Sequence, residues 1–205
     1  HKFSFRARNI ILLATIVVQA CATNPVTGKQ DFVMMSEQQE VSLGKNYHQQ
    51  ILKEYSIYQE PGLQAYVDRI GQDLAAKSHR PHLDWTFTLL DSPEVNAFAT
   101  PGGYVYITRG IMTYMQDEAD LAGVIGHEIG HVTARHSVRQ QAQSTLAGIG
   151  TAAVAVATGS GELANLTSQL STAMVRGYGR QHELQSDGLG AEYLAHSGYD
   201  PQNMI

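Results

Sequence analysis

The sequence predicts an α+β fold, mostly helical around a small sheet. Three observations carry that reading. Ser36-Glu37-Gln38-Gln39 is a capping box at the head of a long helix-forming run. Residues 85–90 and 104–108 are rich in β-formers, and the second run follows a Pro101-Gly102-Gly103 turn. Asp117, with Asp120 three residues on, opens a further helix. The chain has 205 residues, enough to bury a sizeable core. Its 14 basic and 19 acidic residues give a net charge of −5, which leaves no basic footprint for nucleic acid.

Taken in order, the chain begins with a targeting pattern. Lys2, Arg6 and Arg8 form a positive region, and residues 10–18 form an apolar stretch too short to span a bilayer. Val18-Gln19-Ala20-Cys21 then resembles a bacterial lipobox, so residues 1–20 are read as a lipoprotein-type signal peptide and Cys21 as the lipidation site. Cys21 is the only cysteine, which rules out an internal disulfide. Ala22 after it implies the outer membrane by the bacterial sorting rule, and residues 21–35, turn-rich at Asn24-Pro25 and Thr27-Gly28, read as a tether.

The capping box predicts a helix to about Tyr55. Pro61 opens a second helix with Leu63, Tyr66, Val67, Ile70 and Leu74 on one face. Residues 96–108 read as a hairpin. Residues 146–172, rich in Gly, Ala, Ser and Thr, read as small-residue helix and mobile loop, with a possible role as a lid or plug. A last helix runs from about Gln181 to His196, and Gly198 stops it. Asp200-Pro201 looks like a further helix opening. Residues 36–205 are read as one domain that continues into a helical region.

The chemistry lies in Gly126-His127-Glu128-Ile129-Gly130-His131. On a helix, residues four apart share a face, so His127 and His131 aim their rings at one point, with Glu128 between them in projection. A hydrolytic zinc takes three protein ligands and a water, and a carboxylate removes the water's proton. One zinc-protease class needs Gly three residues after the second histidine and a third histidine three further on; Ala134 and Ser137 exclude it. His136, nine residues beyond His127 and half a turn round a continuous helix, is read as a surface or packing residue. Among downstream carboxylates, Glu162 sits in a glycine-rich stretch, Asp200 lies past the helix stop, and Glu192 points away from Glu183. Glu183 and Asp187 face the same way, which suits Glu183 on the metal and Asp187 accepting the outer N–H of a ligand histidine, His127 in particular. The pair is also what a solvated acidic face looks like. His182 is a weaker ligand candidate.

At these residues the chain resembles a known family. HEIGH with Arg180-Gln181-His182-Glu183-Leu184-Gln185-Ser186-Asp187 is similar to the gluzincin-type zinc metalloproteases that include CaaX prenyl proteases, HtpX-like quality-control proteases and BepA-like periplasmic lipoproteins. Residues 21–29 resemble the mature start of the lipoprotein members, the closest branch, and residues 96–103 resemble the family's substrate strand. The resemblance implies a zincin-type domain with an HExxH active-site helix and one Zn2+ per chain. It implies ligands His127, His131 and Glu183, base Glu128, Asp187 behind a ligand, and substrate contacts at Asn96, Ala97, Phe98 and Ala99. Ser186 stands where the family usually has Ala, and no consequence is expected. Arg176, Tyr178 and Arg180 are candidates for the transition-state donor. The function implied is a metalloendopeptidase of the bacterial envelope acting on misfolded or stalled outer-membrane proteins, lipid-anchored in the periplasm and without nucleic-acid partners. The alternative is a lipid-anchored chaperone or assembly factor with a latent or plugged metal site.

Overall fold

A computed structural model describes residues 21–144 and 177–204. The targeting pattern of residues 1–20, the lid segment 146–172, Glu162 and Arg176 lie outside the described residues. The described chain falls into two compact units, residues 21–36 with 138–144, and residues 37–137 with 177–204.

In the first unit, the stretch expected as a tether is a hairpin. Strands β1 (Cys21–Thr23) and β2 (Gln30–Phe32) pair antiparallel, Ala22 opposite Asp31. The Asn24 side chain closes the turn: its oxygen accepts from the Val26 and Thr27 amides at 2.8 and 3.0 Å, and its amide group donates to Asp31. Asn is suited to this self-bonded turn, and Gly28 supplies the left-handed residue at φ 67°. Three-residue strands carry too little periodicity to stand out from a polar linker, so the hairpin was not expected there.

The second unit holds the helices α1 (Glu37–Glu54), α2 (Pro61–Ala76) and α3 (Arg109–Met112). It also holds α4 (Glu118–Thr133) and α5 (Arg180–His196), followed by a 3-10 turn at Pro201–Asn203. Its sheet comprises β3 (Thr86–Leu90), β4 (Ala97–Thr100) and β5 (Tyr104–Thr108) in the order β3-β5-β4. β3 runs parallel to β5, and β4 is the antiparallel hairpin partner of β5, Phe98 opposite Tyr106. The fold is therefore mostly helical α+β, and α1, α2, α4 and α5 each begin within a residue or so of their sequence signals.

The core lies between the sheet and α2, α4 and α5. Val67, Ile70 and Leu74 of α2, Phe87 and Leu89 of β3, Ile107 of β5, Ile125 and Ile129 of α4, and Leu194 of α5 are all essentially buried, and α2 packs on β3, α4 and α5. Leu63 and Tyr66 are only half-buried at the outer end of the α2 stripe. α1 behaves differently, because the residues it buries are Glu40 and Gly44. Among the described residues, β4 pairs on one side only, and it runs alongside the motif helix α4. None of the described helices is long and apolar enough to cross a membrane.

Candidate metal centre

The start of α4 is fixed by a reciprocal cap: Asp117 accepts from the Asp120 amide at 3.0 Å, and Asp120 accepts from the Gln116 amide at 2.8 Å. The helix then buries nearly all its length from Leu121 to Thr133. α5 crosses it at very close range. A methyl group on Gly130 would lie 2.6 Å from Ser186 Oγ and 2.9 Å from its carbonyl oxygen, and one on Gly126 would lie 2.8 Å from Leu194 Cδ1. On α5, Gly190 approaches the His127 amide nitrogen equally closely, 3.0 Å from where its Cβ would be. The two glycines of GHEIGH are thus the reason α5 can reach the histidines. Gly130→Ala is expected to destabilise the protein by about 1–3 kcal/mol through overpacking. Urea denaturation reads this, and a loss below about 0.5 kcal/mol, the range of an ordinary surface change, would contradict it.

This approach brings three donor atoms together. His127 Nε2 lies 3.0 Å from His131 Nε2 and 3.3 Å from Glu183 Oε2, and His131 Nε2 lies 3.8 Å from the same oxygen. Bonds of about 2.0–2.1 Å to a tetrahedral zinc would hold neighbouring donors roughly 3.3–3.5 Å apart, so the cluster fits such an ion. The hydrogen bonds behind the rings fit it too. His127 Nδ1 is 2.8 Å from Asp187 Oδ1, and a carboxylate only accepts, so Nδ1 carries the proton and Nε2 presents its lone pair to the cluster. Two imidazole lone pairs and a carboxylate facing one another call for a cation between them. Burial pushes His131 down to about 2, with the neighbouring His127, His136 and His182 acting the same way, which keeps that ring neutral and ready to ligate. Glu128 is buried beside the cluster, and burial, then the charge of Glu183, raises it to about 8 in the absence of a cation.

The sequence-predicted residues His127, His131, Glu183 and Asp187 converge, with Glu128 alongside. The cluster is closed on the His131 side, 3% exposed, and open on the Glu183 side, 42% exposed. The substrate-strand residues Asn96, Ala97, Phe98 and Ala99 lie on and just before β4, beside α4. His182 does not join the three donors; its ring stacks on His136. Tyr178 presents its ring to His131, centroids 4.0 Å apart and 18° from parallel, while its hydroxyl bonds Ser137 at 2.5 Å. It forms a wall of the site, and its hydroxyl is turned to Ser137. Arg180 is exposed at the first turn of α5.

Of the surface and packing readings of His136 the structure bears out packing: it is fully buried, with Nδ1 2.8 Å from His131 Nδ1 and Nε2 2.9 Å from Gln185 Oε1, although its direction was not the one expected. The half-turn projection assumed a continuous helix, but α4 ends at Thr133 and Arg135 adopts a left-handed conformation at φ 57°. A non-glycine residue there is uncommon and has no sequence signature. Ser186 is not without consequence: it is fully buried, and its hydroxyl donates to the His127 carbonyl at 2.5 Å, tying α5 to the first histidine.

Comparison with known proteins gives a consistent picture. The sequence profile described as Peptidase family M48 matches residues 61–205. The chain is 30% identical over 207 residues to the beta-barrel assembly-enhancing protease of Escherichia coli (strain K12), covering 97% of this chain and 42% of that protein. Its counterpart in Yersinia pestis is 30% identical over 189 residues, 88% of this chain and 39% of the relative. Mitochondrial metalloendopeptidase OMA1 of Schizosaccharomyces pombe is 27% identical over 184 residues, 86% of this chain and 53% of that protein. The chain spans about 42% of the length of the first of these relatives.

Proposed function

The chain belongs to peptidase family M48, and from that premise we propose that it is a zinc metalloendopeptidase with ligands His127, His131 and Glu183 and base Glu128. The single observation carrying this reading is the convergence of three donor atoms from two helices, with Asp187 bonded behind His127. A bound zinc would polarise the scissile carbonyl and acidify a water. Glu128, buried at the cluster, takes the water's proton and passes it towards the leaving amine. Asp187 and the Ser186 hydroxyl hold His127 at its ring and its carbonyl. β4 offers its outer edge to an extended peptide, which binds as an added strand along Asn96, Ala97, Phe98 and Ala99. Pro101 ends that edge, since it has no amide hydrogen to donate.

The relatives named for β-barrel assembly support a role in the quality control of envelope proteins, with unfolded or misassembled outer-membrane proteins as substrates. The lipobox resemblance at Cys21 supports a periplasmic protein anchored to the outer membrane through a lipid. Cys21 opens the β1–β2 hairpin, so an anchor there would attach directly to ordered structure. The test is metal content and digestion of unfolded casein by the full chain. One zinc per chain is expected, with cleavage lost on treatment with a chelator and restored by added zinc. Cleavage that survives complete removal of metal would overturn the proposal.

A further inference from the structure

His136 is not among the three donors, yet it is fully buried against one of them. The hydrogen bonds around it have a direction. Gln185 Oε1 is an acceptor 2.9 Å from His136 Nε2, so that nitrogen carries the ring proton and Nδ1 keeps its lone pair. His136 Nδ1 then accepts from His131 Nδ1 at 2.8 Å, and His131 Nε2 is left to face His127 and Glu183. Ring packing restricts the same two residues: Tyr178 stacks on His131, and His182 stacks on His136 at 4.3 Å. From this geometry we infer that His136 and Gln185 form a positioning pair that sets the tautomer and orientation of His131 as an Nε2 metal ligand. The pair does for the second histidine what Asp187 does for the first, but with a neutral acceptor in place of a carboxylate. His131 therefore has a less electron-rich outer partner than His127, and the two ligand histidines are not equivalent.

The backbone is shaped for this. His136 lies only five positions after His131, and a continuous helix would carry them about 140° apart. The break after Thr133 and the left-handed Arg135 turn the chain back, and Arg135 is held there by Glu40 at 2.9 Å.

The inference rests on the metal reading given above, and the experiment separates the two. Zinc affinity of the full chain is measured by chelator competition, alongside the visible spectrum of the cobalt-substituted protein and the melting temperature of each metal-free variant. His136→Leu is expected to weaken zinc by about 10–100-fold and to change the cobalt bands. His136→Asn, whose amide oxygen can still accept from His131, is expected to recover most of that affinity. Gln185→Glu keeps an acceptor and should bind zinc at least as well as the wild type. Long-range proton–nitrogen spectra of the metal-free wild type should show His131 protonated on Nδ1 and His136 on Nε2; the opposite tautomers would overturn the inference without any variant. It also fails if His136→Leu binds zinc with unaltered affinity and spectrum, or if Asn restores melting temperature but not affinity. A wild type that takes up no zinc would instead sink the metal reading itself.

Discussion

Glu128→Gln is expected to lower cleavage of unfolded casein by about a hundred- to ten-thousand-fold while zinc content stays at the wild-type level. The reason is that Glu128 stands beside the donor cluster without contributing to it, so the substitution removes a proton acceptor and no ligand. Loss of zinc along with activity would mean that Glu128 holds the site together, and retained cleavage would remove it from the mechanism. If envelope-protein assembly in cells proceeded normally with this variant, the assembly-factor reading would gain over the protease. The same substitution has a second, opposite effect on the metal-free protein. The Glu128 carboxyl is raised from 4.5 to about 8, so between those values the folded state holds a proton that the unfolded state has released. Stability therefore falls as pH rises through that window. The penalty is absent below about 4.5 and complete above about 8, where it is of the order of a few kcal/mol. Metal-free Glu128→Gln should consequently melt higher than metal-free wild type at pH 8, and the difference should vanish near pH 4.5. A difference that does not change with pH would assign the stabilisation to something other than the buried charge. A bound cation lowers the carboxylate's cost, so the gap should also shrink on loading with zinc.

The parts of this fold that were legible in the sequence are those governed by local chemistry. The capping box at Ser36, Pro61 at the start of α2, the Asp117 cap and Gly198 at φ 85° all act within a few residues of themselves. The convergence at the candidate site was legible for the same reason, since His127 and His131, with Glu128 beside them, lie on one helix and Glu183 and Asp187 share a face of another. What the sequence did not reveal depends on contacts between distant segments. Ser186 matters because α5 comes within hydrogen-bond reach of the His127 carbonyl. His136 matters because a helix ends where no glycine or proline marks an end. Gln185, next to the buried Ser186, had no pattern to distinguish it from a solvated polar residue. The last helix carries little apolar periodicity, since its buried face mixes Ser186 and Gly190 with Leu189, Tyr193 and Leu194, and Gly198 was the signal that marked its end.

Glu40→Gln is expected to destabilise the protein by about 3–5 kcal/mol, the largest loss of stability among the changes considered. Glu40 is 1% exposed and sits between two cations: Arg80 donates to it at 2.8 and 3.2 Å, and Arg135 donates at 2.9 Å. Arg80 is itself fully buried and also donates to Glu37 and to the Val132 carbonyl in the last turn of α4. Removing the central negative charge takes from both guanidinium groups the carboxylate they share, and the Glu37 carboxylate that also meets Arg80 is half exposed. Urea denaturation of the metal-free protein measures the cost. The exposed pair Arg109–Asp91 provides the contrast, since its loss should change stability by no more than about 1 kcal/mol despite a comparably short contact. The effect of Glu40 should also reach the metal. Arg80 fixes the end of α4 through Val132, and Arg135 is the left-handed residue that turns His136 back onto His131, so loosening the cluster frees the ring behind His131. Zinc affinity should therefore fall in Glu40→Gln and be unchanged in Asp91→Asn. Equal zinc affinity in both variants would confine the buried charges to folding and separate them from the site they flank.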